Sequence, residues 1–144
     1  MEQKIRRLTL GNISGILSEF QTSISLLGSS IAGKTGVDLF ESLKREKLDT
    51  GPYPRVTLFE AANRIMSDLV ILHGVGWLLK NKTFPFDSYV VEFGNEDKNG
   101  FDVTAEGSGA TLVGEAFNVA PSFFRSKKLF AINKLRRNGF NVQP

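Results

Sequence analysis

Two acids, Asp102 and Glu115, stand on either side of a glycine-rich turn and are the residues best suited to chemistry. In the run GFDVTAEGSGATLVGEAFNV, Asp102 begins one predicted strand and Glu115 comes late in the next. A hairpin in that register can bring the two carboxylates together. Paired acids that share a divalent ion activate water and neutralise charge on a phosphate, so this spacing suits metal-assisted phosphodiester hydrolysis.

Further charged residues surround this pair along the chain. Glu92, near the same strand edge, is a candidate for an additional metal ligand. The last segment, residues 121 to 144, is basic and contains no acid; its bases are Arg125, Lys127, Lys128, Lys134, Arg136 and Arg137. We expect Arg125, Lys127, Lys134 and Arg137 to contact DNA phosphates, with a merely solvated helix face as the alternative. Phe123 and Phe124 are predicted to be core residues rather than base-stacking groups.

A second motif competes with the paired acids. Residues 28–35 read GSSIAGKT, which matches the phosphate-binding loop G-x-x-x-x-G-K-[ST]. In that reading Gly28 and Gly33 shape the loop, while Lys34 and Thr35 hold nucleotide phosphates and magnesium. The motif requires a buried strand before it, whereas the preceding residues fit a helical pattern better. The alternative is a connection between two helices, with Thr35 as a helix cap.

Composition excludes several classes of protein. The chain has no cysteine and one histidine, His73, so thiolate metal sites and hydrolase triads are excluded, and neither zinc nor haem is expected. It has no apolar run long enough to span a membrane and no signal peptide, so a cytoplasmic protein without a membrane partner is predicted. A chain of 144 residues is expected to form one domain.

Apolar spacing predicts the elements that position these residues. Helices are expected from Ile13, from Thr35 and from Thr57, the last two opened by capping boxes and the third ending near His73–Gly74. Three strands follow, then a helix that begins at Pro121. Residues 1–50 are predicted to be a helical N-terminal extension and residues 56–144 an α/β core. FNVQ, at the end of the chain, is a possible fourth strand.

The acids and the element order together resemble the PD-(D/E)xK restriction-endonuclease-like superfamily, over roughly Val56 to Gly139. The resemblance implies an α/β fold with a restriction-endonuclease-like core: helix, three strands, helix and a possible fourth strand, in a mixed central sheet flanked by helices. It also implies that Asp102 and Glu115 are the two motif acids and that Glu60 is the acid of the first helix. Together they would hold Mg²⁺ or Mn²⁺.

One position departs from the superfamily pattern. The motif lysine is expected two residues after Glu115, where this chain has Phe117. Asn118, Lys127 and Lys128 are therefore candidates to replace it at the catalytic site. The resemblance implies a metal-dependent DNA endonuclease that pairs as a homodimer. The alternatives are an inactive DNA-binding or protein-interaction module of the same fold, and a small nucleotide-binding protein that uses GSSIAGKT.

Overall fold

The computed structural model describes residues 5–94 and 100–141, which form four α-helices and four β-strands. In chain order these are β1 (Ile5–Thr9), α1 (Ile13–Ser25), α2 (Gly36–Arg45), α3 (Leu58–Asn81), β2 (Ser88–Glu92), β3 (Val103–Gly107), β4 (Ala110–Gly114) and α4 (Pro121–Arg137). A 3₁₀ helix, Leu26–Ser30, continues α1. The predicted α/β class is confirmed.

The four strands form one sheet in the order β1-β2-β3-β4, and every pairing among them is antiparallel. The prediction of a mixed sheet is wrong for the strands that the structure describes, because each strand runs opposite to its neighbour. Of the possible fourth strand FNVQ, Phe140 and Asn141 are irregular, and the remaining residues lie outside the described ranges.

β1 corrects the prediction that residues 1–50 form a helical extension. Its five residues pair with β2 from Ile5 opposite Glu92 to Thr9 opposite Ser88. The side chain of Leu8 is fully buried beneath this pairing. Because β1 finds its partner about eighty residues away, no local pattern reveals the strand, and the N-terminal segment is part of the sheet rather than an appendage.

The core lies where one face of the sheet meets the long helix α3. The sheet contributes alternating residues that share a face, and α3 contributes residues spaced by four and three. These buried residues are Leu8, Tyr89, Val91, Val103 and Ala105 from the sheet, and Ala61, Ile65, Leu72, Val75 and Leu79 from α3. Phe20 of α1 stacks on Phe93, just after β2, with 6.3 Å between ring centroids, and so fixes α1 to the same core.

The helix boundaries lie where local sequence signals predict them, except at the end of α3. The Thr57 hydroxyl accepts a hydrogen bond from the Glu60 amide at 3.2 Å, so the predicted N-terminal cap of α3 is confirmed. The predicted end near His73–Gly74 is wrong, because apolar residues continue to be buried as far as Leu79 and the helix closes only at Lys82, in the left-handed conformation. His73 is therefore an exposed residue within a helix.

Candidate functional site

Asp102 and Glu115 flank the β3–β4 hairpin at neighbouring positions. Val103 lies opposite Gly114 in the register, so each acid stands one residue beyond this pair, Asp102 just before β3 and Glu115 just after β4. Glu115 was predicted to lie late in the second strand, but it lies just outside it. On the other side of β3, the Glu92 amide donates to the Asp102 carbonyl at 2.9 Å. The backbone of Asp102 is thus held by the middle of the sheet.

The two acids line one polar cavity of about 430 Å³. The remaining lining residues come from α3, from the segment after β4 and from α4; they are Asn63, Ser67, Ala116, Phe117, Asn118, Val119, Lys127, Phe130 and Lys134. The cavity therefore holds two carboxylates, two amides and two lysines. Asp102, Glu115, Asn118 and Lys127, all proposed from the sequence as catalytic, are brought together here.

The carboxylate of Asp102 is fixed by the backbone that follows the hairpin. Its Oδ2 accepts a hydrogen bond from the Ala116 amide at 2.7 Å, and the side chain is only partly exposed. A hydrogen bond to an ionised acceptor is short and strong. It ties the segment after β4 to the start of β3 and so holds Glu115 beside Asp102.

Glu115 forms an ion pair with Lys134, which was predicted to contact DNA phosphate instead. Lys134 Nζ lies 2.9 Å from Glu115 Oε1, and both side chains are mostly buried, at 24% and 16% exposure. The same ammonium lies 5.5 Å from the centroid of the Phe101 ring. Lys134 was predicted to contact DNA phosphate from an exposed face, but it points into the cavity and neutralises the second acid.

The other basic residues of α4 divide into two groups. Lys127 lines the cavity, with its amine 5.6 Å from the centroid of the Phe130 ring. Lys128, Arg125 and Arg137 lie outside the cavity and are exposed. Of the two lysines proposed to replace the motif lysine, Lys127 is therefore near the acids and Lys128 is not.

Glu60 and Glu92, the two further predicted metal ligands, lie outside the lining of this cavity. Glu60 Oε1 accepts a hydrogen bond from Arg64 at 2.6 Å, one helical turn away. Glu60 is therefore an acid on the exposed surface of α3. Glu92 is almost fully buried at the end of β2. On α3 the positions that face the two acids are Asn63 and Ser67 instead, three and seven residues after Glu60.

Asp68 is a buried carboxylate near the cavity that was not predicted from the sequence. Asp68 of α3 is fully buried and accepts hydrogen bonds from the Gly94 amide, at 3.0 Å, and from the Tyr53 hydroxyl. Burial raises the pKa of Asp68 to about 6, against the opposing effect of these two hydrogen bonds, and the nearby charge of Asp102 raises the pKa further. The same burial raises the pKa of Tyr53. The pKa of Asp68 therefore lies well above that of an ordinary aspartate.

The possible metal ligands in the cavity are oxygen atoms, which suit a hard cation better than a soft one. The described residues contain no cluster of three or more acidic, histidine or cysteine side chains placed to hold a metal. Mg²⁺ is typically held by one or two carboxylates, with water and substrate phosphate completing its shell. Asp102 and Glu115 meet that requirement, and the amides of Asn63 and Asn118 offer further oxygens on the same walls.

The segment GSSIAGKT lies outside the lining of this cavity and lacks the setting of a phosphate loop. It follows α1 rather than a strand, and its first three residues belong to the 3₁₀ helix. Lys34 donates to the carboxylate of Glu46 and to the Ser42 hydroxyl. The hydrogen bonds that Glu46 accepts, first from Lys34 and then from Ser42, lower the pKa of Glu46. Thr35 precedes α2 in an extended conformation, without a side-chain capping bond. The arrangement is a helix connection held by an ion pair, and it does not favour nucleotide binding.

A larger cavity of about 690 Å³ lies on the other side of Glu115, between α3, β4 and the end of α4. Its walls are mainly apolar, from residues such as Ile71, Val75, Leu112 and Phe140. Among the residues that the structure describes, Glu115 is the sole ionisable side chain in this lining. The smaller cavity, where acids, amides and lysines converge, is therefore the candidate functional site.

Comparison with protein-family models, with curated protein sequences and with solved structures finds no match to this chain. Among the described residues, every helix is too short or too polar to cross a lipid bilayer. The geometry around Asp102 and Glu115 is accordingly the basis for assigning a function.

Proposed function

We propose that the protein hydrolyses nucleic-acid phosphodiesters with a magnesium or manganese ion held by Asp102 and Glu115. The observation that carries this proposal is the polar cavity that both acids share with Lys127 and Lys134. Carboxylates for a hard cation and ammonium groups for a phosphate are the two requirements of this reaction, and they meet on the walls of one cavity. The spacing of the two acids, which resembles the PD-(D/E)xK pattern, is in keeping with the same chemistry.

Each residue has a distinct part in this proposal. When bound, the ion would activate water and neutralise charge on the phosphate. The Ala116 amide fixes the Asp102 carboxylate, which together with Glu115 would hold the ion. Lys134, 2.9 Å from Glu115, provides the amine that the superfamily pattern requires and that this chain lacks at Phe117. Lys127, on the wall of the same cavity, attracts the phosphate.

A cleavage assay with matched variants tests this function. Labelled oligonucleotides are incubated with magnesium and with wild type, Asp102→Asn, Glu115→Gln or Glu60→Gln. Asn at position 102 retains an oxygen that can accept the Ala116 hydrogen bond, so the fold is preserved. We expect cleavage to fall at least about 100-fold in the first two variants, because the ion supplies several kcal/mol of transition-state stabilisation. Glu60→Gln, outside the cavity, is expected to cleave like wild type.

An inactive nucleic-acid-binding module is the second candidate, and the Glu115–Lys134 ion pair favours it. A lysine that already neutralises the second acid weakens the attraction of that acid for a cation. Binding that declines steeply with salt, in a wild type without measurable cleavage, would select this candidate. Undiminished cleavage by Asp102→Asn would instead exclude the proposed metal site.

A further inference from the structure

The helix α4 presents one stripe in which aromatic and basic residues alternate. Phe123, Lys127, Phe130 and Lys134 follow one another at steps of four, three and four, so they share one helix face. Lys127, Phe130 and Lys134 line the polar cavity. Phe123 continues the stripe outward from it. The stripe thus leads from the protein surface to Asp102 and Glu115.

The aromatic rings of this stripe are not used to build the core. Phe123 is 65% exposed and Phe130 is 64% exposed, and Ala131 is the only buried residue of α4. The prediction that Phe123 and Phe124 are core residues is therefore wrong; Phe124 is 52% exposed and packs on Phe117. Several large aromatic side chains exposed on one helix are typical of an interaction surface.

The charge of α4 restricts the partner to an anion. The helix carries six basic residues and no acid. A lipid surface would be met by a helix whose apolar and basic residues lie on opposite faces. Here rings and ammonium groups occupy the same face, which suits a ligand that itself alternates flat apolar groups with negative charges. A single nucleic-acid strand has this pattern.

We propose that the substrate bound by this site is an unpaired nucleic-acid strand, with bases stacked on Phe130 and Phe123 and phosphates beside Lys127 and Lys134. In a duplex the faces of the bases are already stacked on one another and cannot reach an exposed ring. Every base has such a face, so recognition through stacking tolerates many sequences. A cavity of about 430 Å³ also has room for one nucleotide and not for a duplex.

This inference rests on the proposed function for the identity of the substrate, but its test needs no catalysis. Fluorescence anisotropy measures binding of a labelled single strand and of the matching duplex, both in EDTA at fixed salt. The proteins are wild type, Phe130→Ala and Leu129→Ala; Leu129 is 52% exposed and lies off the stripe. We expect wild type to prefer the single strand at least tenfold. Phe130→Ala should weaken that binding about tenfold, and Leu129→Ala should change it less than about twofold.

Three binding results would overturn the inference: equal or tighter binding of the duplex, single-strand binding that is unchanged by Phe130→Ala, or adsorption to anionic vesicles that exceeds binding to the oligonucleotide. Because Phe130 is mostly exposed, its replacement should leave the melting temperature unchanged, and a melting curve checks this. Single-strand binding in EDTA without cleavage in magnesium supports the inference while the hydrolytic function fails. Cleavage confined to duplexes contradicts the inference alone.

Discussion

At the scale of single residues, the acids of the cavity were predictable and their partners were not. Asp102 and Glu115 stand at the two ends of a hairpin that glycines and alternation reveal in the sequence. Lys134 is nineteen residues beyond Glu115 and reaches it only because α4 brings it back to the end of β4. Periodicity along a helix specifies which residues share a face, but it does not specify what that face meets.

Asp68 shows how a sequence signal can be present and still be missed. It occupies a core position of α3, in the series Ala61, Ile65, Asp68, Leu72. In the sequence, the apolar residues Leu58, Ala62, Ile65, Leu69 and Leu72 predict a buried stripe that passes beside the acid, but Ala62 is exposed. A carboxylate at a core position requires buried partners, and these are supplied by Tyr53 and by the backbone of Gly94.

Titration of Asp68 should make stability depend on pH between about 4 and 6. Its pKa is about 6 in the folded protein, against 3.8 for an ordinary aspartate, so the folded state keeps a proton that the unfolded chain has lost. The free energy of unfolding therefore falls as pH rises through this window, by on the order of 2–3 kcal/mol. Urea unfolding at several pH values should show this fall in wild type, relative to Asp68→Asn. Parallel pH profiles for the two proteins would refute it.

At the scale of elements, helix starts and the hairpin followed from local chemistry. Both Thr35 and Thr57 precede helices with an acid three residues later, and both helices form. Only Thr57 makes the side-chain capping bond.

The two threonines form a matched test of capping. Thr57→Ala removes the acceptor of the Glu60 amide and should destabilise the fold by about 1 kcal/mol. Thr35→Ala removes no such bond, so we expect a change below about 0.5 kcal/mol. Chemical denaturation of both variants measures how much each substitution lowers the free energy of unfolding. Equal costs would show that the capping bond of Thr57 contributes nothing of its own.

At the scale of the whole molecule, the sheet depends on contacts that are distant along the chain. β1 and β2 pair across most of the sequence, while β2, β3 and β4 form a meander of near neighbours. The meander was visible in the alternation of Val, Thr and aromatic residues, and β1 was not. The similarity to the PD-(D/E)xK nucleases, and with it a homodimer, stays a prediction.

If β1 is part of the fold, its buried leucine must contribute to global stability. Leu8→Ala removes a fully buried side chain and should cost about 2–5 kcal/mol. Leu10, two residues later and 62% exposed, is the matched control, and Leu10→Ala should cost less than about 1 kcal/mol. Thermal or urea denaturation compares them. A separable N-terminal segment would give two equally small effects.

The proposed function requires that Asp102 and Glu115 together hold a divalent cation. Melting temperature is measured during titration with magnesium and manganese, for wild type, Glu115→Gln, Asp102→Asn and the control Glu60→Gln. A ligand that binds only the folded state stabilises it, so wild type and Glu60→Gln should gain about 3 °C or more at saturation, whereas the two cavity variants should not respond. A metal response that survives both cavity substitutions, or no response in any protein, would contradict the proposed site.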